Sequence, residues 1–110
     1  MEVGTTGYKR CSLVTVSGRV DSNTAPAFEE VLKEVIEGGQ RNVVLELSGV
    51  DFMSSAGLRG MVSSLKACKG GGGDLVVATP SSRVVEVMQL AGLTSLFTLF
   101  DDVTAAVGSF

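Results

Sequence analysis

A chain of 110 residues is long enough to bury a core and short for two, so one domain over residues 1–110 is expected, with apolar residues at 45 % of the sequence to fill it. The net charge of −3, with no cluster of Lys or Arg, supplies none of the positive field that displaces counterions from phosphates, and nucleic acid is set aside as a direct partner. The lack of any histidine removes His-based acid–base chemistry and catalytic triads, and it leaves Cys11 and Cys68 without the imidazoles of a typical zinc site. The two are read as reduced, buried thiols, with no metal or cofactor expected.

In chain order, a weak first strand is expected around residues 7–10. The segment Ser12-Leu13-Val14-Thr15-Val16-Ser17 is β-rich and partly alternating, which predicts a strand stopping at Gly18. Ser22-Asn23-Thr24-Ala25-Pro26 gathers capping residues and a proline that a helix tolerates only in its first turn. The helix follows by pattern: Phe28, Val31, Leu32, Val35 and Ile36 recur at three- and four-residue spacing, and Gly38-Gly39 closes it. Val43-Val44-Leu45-Glu46-Leu47 reads as a strand with Val43, Leu45 and Leu47 on one face and Glu46 on the other, wetter one.

The helical period returns in Leu58, Met61, Val62 and Leu65 and reaches Cys68 before the glycine run at 70–73 ends it. Leu75-Val76-Val77-Ala78 is a short buried strand and Thr79-Pro80-Ser81-Ser82 a turn with a cap. Val84, Val87, Met88 and Ala91 then mark a third helix ending at Gly92. Residues 96–100 make a last strand, and Asp101-Asp102 caps a short helix carrying Val103, Ala106 and Val107. Strands alternating with helices of this length imply a largely parallel sheet with right-handed crossovers, whereas the first two strands are too close in sequence to pair other than antiparallel.

The most informative stretch is Leu47-Ser48-Gly49-Val50-Asp51-Phe52-Met53-Ser54-Ser55-Ala56-Gly57-Leu58, which joins a strand to a helix start and places two hydroxyls at the turn. The first N–H groups of a helix are unpaired and carry partial positive charge, so a serine there can cap the helix and a phosphate can be held. Gly57, costly just inside a helix, suggests a close approach by another chain, a ligand or a phosphate. Asp21 and Asp51 read either as a pair of carboxylates or as a helix-approach residue and a solvated turn residue. The glycine run at 70–73 lacks the Lys-Ser or Lys-Thr of a phosphate loop, and Ser63-Ser64-Leu65-Lys66 lies mid-helix without the other motifs of penicillin-binding enzymes.

Phe52-Met53-Ser54-Ser55-Ala56-Gly57-Leu58 resembles the signature of anti-sigma factor antagonists of the STAS domain family: an aromatic, an apolar residue, Asp, Ser, Ser or Thr, Gly, Leu. In that signature the first serine after the Asp is phosphorylated, and it aligns with Ser55; Ser54 stands in place of the Asp, and Ala56 in place of the Ser or Thr. Gly18-Arg19-Val20-Asp21 is similar to the family's Gly-x-Leu-Asp, and Val43, Leu45 and Leu47 precede the signature as they do there.

The resemblance implies a STAS fold, an α/β structure with a mostly parallel, four- to five-stranded mixed sheet, an antiparallel N-terminal strand pair and about four helices. It further implies an anti-sigma factor antagonist that is a substrate and ligand rather than an enzyme. Unphosphorylated, it would bind an anti-sigma factor serine kinase of the histidine-kinase-like ATPase type and free the sigma factor; the kinase would phosphorylate Ser55, with Ser54 the alternative, and a separate serine phosphatase would reverse this. Partner contacts are assigned to Asp21, Asp51, Met53, Ser54, Ser55, Ala56, Gly57 and Leu58.

Two other functions compete: a non-phosphorylated STAS docking subunit of a membrane transporter system, and a small nucleotide-binding enzyme suggested by the α/β pattern alone. No apolar run approaches the ~20 residues of a membrane span, and Met1-Glu2-Val3-Gly4 does not open a secretory pattern, so a cytoplasmic location without membrane insertion is expected.

Overall fold

Apolar periodicity converts into two layers of core on either side of one sheet. In the computed structural model, which describes residues 1–110, the elements run β1 (Glu2–Gly7), β2 (Ser12–Val20), α1 (Ala25–Glu37), β3 (Asn42–Met53), α2 (Ser55–Gly70), β4 (Asp74–Ala78), α3 (Ser82–Leu90), β5 (Leu99–Phe100) and α4 (Val103–Gly108). The strands lie in the order β1-β2-β3-β4-β5; β1 pairs antiparallel with β2 and every other neighbour is parallel. This five-stranded mixed sheet with four helices is the expected fold class.

Alternation along the strands decides which side chains meet which helices. Val14 and Val16 of β2, Val43, Leu45 and Leu47 of β3, and Leu75 and Val77 of β4 share the larger core with Phe28, Leu32 and Ile36 of α1 and with Met61, Leu65 and Cys68 of α2. The opposite face carries Cys11, Val44, Val76 and Ala78, covered by Ala106 of α4. Both cysteines are free and buried, and burial raises their thiol pKa values, that of Cys68 to about 11 with the nearby Asp74 charge adding to the effect.

Several expected boundaries move. The first strand is β1 at Glu2–Gly7, while Tyr8 to Cys11 form the hairpin turn, closed by the Tyr8 N–H donating to the Cys11 carbonyl at 2.8 Å. β2 runs on to Val20 through Gly18, whose φ of +89° a non-glycine residue would strain to adopt. β3 does not end at Leu47 but continues to Met53, because Ser17 to Val20 of β2 supply a partner along its second half.

Register shifts interrupt that second pairing, so each step from Thr15 to Ser17 and from Gly18 to Arg19 on β2 corresponds to an extra residue on β3. The bulges break the period-two pattern, which is why the second half of β3 does not read as a strand from its side chains. At the other end, β5 shrinks to Leu99–Phe100; Leu96 is exposed while Phe97 turns into the larger core. Ala91 is an exposed C-cap rather than a core-facing helical residue, followed by Gly92 at φ +72°.

Candidate functional site

The end of β3 delivers Met53 into the core and turns the chain at Ser54, which has extended backbone angles and stands at the N-cap of α2. Ser54 makes three hydrogen bonds there. Its Oγ accepts the Gly57 N–H at 3.2 Å, its carbonyl accepts the Leu58 N–H at 3.0 Å, and its own N–H donates to the Val20 carbonyl at 2.7 Å. Ser55, the first residue of the helix, is exposed, and its hydroxyl takes part in none of the side-chain hydrogen bonds that organise the turn. Two adjacent serines thus differ in kind: one hydroxyl holds the fold, the other is presented to solvent.

The other residues of the motif support this turn from behind. A Cβ on Gly57 would lie 2.8 Å from Val20 Cγ1 and closer still to the Met53 sulfur. The close approach expected at Gly57 is therefore internal, made by the chain's own β2 and β3, rather than by a partner, ligand or phosphate. Met53 and Gly57 are buried and Leu58 is only 6 % exposed, so these three offer almost no surface to a partner. Met53 and Gly57 therefore pack behind the turn, while the small exposed part of Leu58 reaches the surface beside Ser55. Ala56 is half-buried against the larger core, with Ser54 and Ser55 at the rim.

Asp21 reaches the site through the sheet. It follows Val20, the residue paired with Met53, so the turn after β2 and the turn after β3 lie side by side. Its Oδ1 accepts the N–H groups of Asn23 at 2.9 Å and Thr24 at 3.0 Å, which organises the approach to α1, and the Asp21 N–H donates to the Thr24 hydroxyl at 2.9 Å. Hydrogen bonding from the Thr24 backbone, followed by smaller contributions from Asn23 and the Arg19 charge, holds this carboxyl below the usual range. These bonds are those of a helix-approach residue, and the Ser54 N–H bond to the Val20 carbonyl sets the backbone of Asp21 next to the α2 turn. Asp51, in contrast, is an exposed residue at a β3 bulge that makes no hydrogen bond or ion pair to either serine.

Two features were not singled out from the sequence. Arg19 stacks over the Phe52 ring at 4.3 Å and lies 3.8 Å from Asp21, which links the two turns; its place in Gly-Arg-Val-Asp was the only signal. Glu46, expected on the wet face, is buried, and its Oε1 accepts the Ser48 N–H at 2.7 Å and the Thr79 hydroxyl at 2.6 Å. Burial alone would raise the pKa of Glu46, but the hydrogen bonds from Ser48 and Thr79 outweigh it and hold the carboxyl below its usual value. Thr79 sits at φ +44° to make this contact, so Glu46 ties the bulged part of β3 to the turn after β4.

Beside Ser55 a cavity of about 580 Å³ opens between α2 and the segment following α3, with Leu58, Val62 and Leu93 as its apolar wall and Arg59 and Lys66 as its charged groups. No group of three or more His, Cys, Asp or Glu side chains converges as a metal site, and no helix is long and apolar enough to cross a membrane. An exposed hydroxyl at a helix start can receive a phosphoryl group and hold it near unpaired N–H groups.

Residues 2–106 match the model of the STAS domain. The chain is 31 % identical over 96 residues to the anti-sigma-B factor antagonist of Staphylococcus aureus, covering 87 % of this chain and 89 % of the relative. Its fold is similar to that of an anti-sigma factor antagonist from Mycobacterium paratuberculosis, with a TM-score of 0.82 at 28 % identity over 98 % of this chain and 92 % of the other. The anti-sigma factor antagonist SpoIIAA shares the fold in its unphosphorylated form, with a TM-score of 0.83 at 17 % identity over 96 % of this chain and 93 % of the other. In its phosphorylated form, from Bacillus, the TM-score is 0.78 at 15 % identity over 98 % of both chains.

Proposed function

The chain belongs to the STAS domain family, and from that premise we propose that it is an anti-sigma factor antagonist, binding an anti-sigma factor serine kinase while unphosphorylated and releasing it once Ser55 carries a phosphate. The observation that carries the choice of residue is the difference between the two serines: Ser54 Oγ is committed to the Gly57 N–H, and the exposed Ser55 hydroxyl is not. The reading of the whole chain as an antagonist is supported by the relative named as one at 31 % identity across most of both sequences.

The reaction belongs to the kinase. Ser55 Oγ attacks the γ-phosphorus of ATP held by that partner, the bond from this phosphorus to the β–γ bridging oxygen breaks, ADP leaves and the hydroxyl proton passes to a base of the kinase. With no histidine in the chain and neither Asp21 nor Asp51 bonded to Ser55, no side chain here activates that hydroxyl. Hydrolysis of the phosphoserine by a separate serine phosphatase resets the cycle, in the cytoplasm.

A phosphoserine adds about −1.5 to −2 charge, which the helix start tolerates and an apposed acidic or close-packed partner does not. A loss of ~3 kcal/mol weakens binding more than a hundredfold, enough to exchange partners without unfolding. Ser55, Ser54, Ala56, Asp21 and Asp51 would form the contact surface, with Met53, Gly57 and Leu58 supporting it from inside. The test is capture of partners from the native host followed by phosphopeptide mapping. A phosphate on Ser55 and a co-purified ATP-binding kinase are expected; a phosphate on Ser54 with Ser55 unmodified would defeat the assignment.

A further inference from the structure

Arg59 lies four residues beyond Ser55 on α2, a spacing that sets two side chains on the same face with Cβ atoms about 5–6 Å apart. Both are exposed and both line the cavity between α2 and the segment after α3. The charged groups of this cavity are Arg59 and Lys66, which face no carboxylate across it; the ion pair of the molecule joins Arg19 and Asp21, so neither cation is engaged elsewhere. The rest of the wall is supplied by Ser63 and by the apolar Leu58, Val62, Ala91 and Leu93, so a charge pair formed there lies along apolar surface while staying open to solvent.

We infer that Arg59 is the counter-charge for the Ser55 phosphate, a positioning residue that draws the phosphoryl group into the cavity beside α2. A guanidinium presents paired donors that match two phosphate oxygens, and its stem reaches one helical turn back while lying along apolar surface. The consequence for regulation is a change of charge. Arg59 and Lys66 give the unmodified cavity two positive charges, and a phosphate of about −2 cancels them, so partner carboxylates drawn to the cavity lose their attraction.

This inference rests on Ser55 as the modified residue, and its test is arranged to fail separately from that reading. Phosphoserine is placed at position 55 of the full chain during synthesis, without a kinase, and the second ionisation of the phosphate is followed by phosphorus NMR. The apparent pKa in the native chain is expected about 0.5 below that in Arg59→Ala and Arg59→Gln, with Arg59→Lys recovering most of the difference. A phosphoserine placed at Ser82, four residues before Glu86, is expected to titrate higher than one at Ser55.

Equal midpoints in the native chain, Arg59→Ala and Arg59→Gln, all with unchanged melting temperature, would overturn the role of Arg59. So would a larger displacement from Lys66→Ala than from Arg59→Ala. Incubating the unmodified chain with its kinase and ATP decides independently whether Ser55 is phosphorylated.

Discussion

The chain contains two strand-to-helix junctions that look alike, and the contrast between them isolates what makes one a candidate switch. Ser54-Ser55 starts α2 and Ser81-Ser82 starts α3; in both, the first serine caps the helix, accepting the N–H three residues on at 3.2 and 3.3 Å, and the second is exposed. A serine pair at a helix start is therefore uninformative by itself. The surroundings differ. Ser55 lines a cavity and has Arg59 one turn ahead, whereas Ser82 lines none and has Glu86 at that spacing, where a phosphate would meet a like charge. The second junction is also more deeply anchored, because the Ser81 hydroxyl donates to the Val50 carbonyl at 2.6 Å.

The sharpest way to break this comparison is to remove each exposed hydroxyl in turn. Ser55→Ala is expected to abolish phosphate uptake from the cognate kinase while retaining partner binding, and Ser82→Ala to leave uptake unchanged, as read by intact-protein mass. Stoichiometric phosphorylation of Ser55→Ala would refute the distinction. Next in size, Ser55→Asp should weaken binding to the kinase by roughly a hundredfold in calorimetry, against a less than about threefold effect from Ser82→Asp.

Stability separates the junctions at a lower level. Gly57→Ala should cost about 1–3 kcal/mol in urea unfolding, since the added Cβ meets Val20 and Met53; a neutral result would show that these neighbours yield. Ser54→Ala removes one capping bond, worth about 1 kcal/mol. Ser81→Ala also leaves the Val50 carbonyl without its donor and should cost about 2 kcal/mol.

The smallest expected effect concerns acid. The folded-state pKa of Glu46 lies below its unfolded value of 4.5. Its carboxylate therefore adds stability above that value, and the gain is lost as pH falls through the folded-state pKa. Glu46→Gln should flatten the decline of stability below about pH 4.5, and an unchanged slope would remove Glu46 as the tie between β3 and the turn after β4.

Local chemistry made much of this legible. Phe28, Leu32 and Ile36 marked α1 because a buried helical face must repeat every three or four residues, and Val43, Leu45 and Leu47 marked the first half of β3 by alternation. The second half was hidden, since bulges between Leu47 and Phe52 shift the phase of burial and leave Ser48, Gly49 and Asp51 exposed beside Val50. Gly57 was recognisable as an anomaly, but of its two close neighbours only Met53 is near in sequence, and Val20 comes from β2, which no local pattern reports.

Sequence by itself determined the alternation of strands and helices, the serines at the α2 start and, through the signature they belong to, the family; these depend on the period of apolar residues and on capping chemistry, both of which act over a few residues. Only the tertiary structure decided which hydroxyl is free, that Met53, Gly57 and Leu58 face inward, and that Ser55, Arg59 and Leu93 share a cavity. The hydroxyl is assigned by a cap between neighbours, Ser54 and Gly57, whose geometry only the folded turn fixes, and the other two outcomes depend on which residues distant in the chain come to pack together.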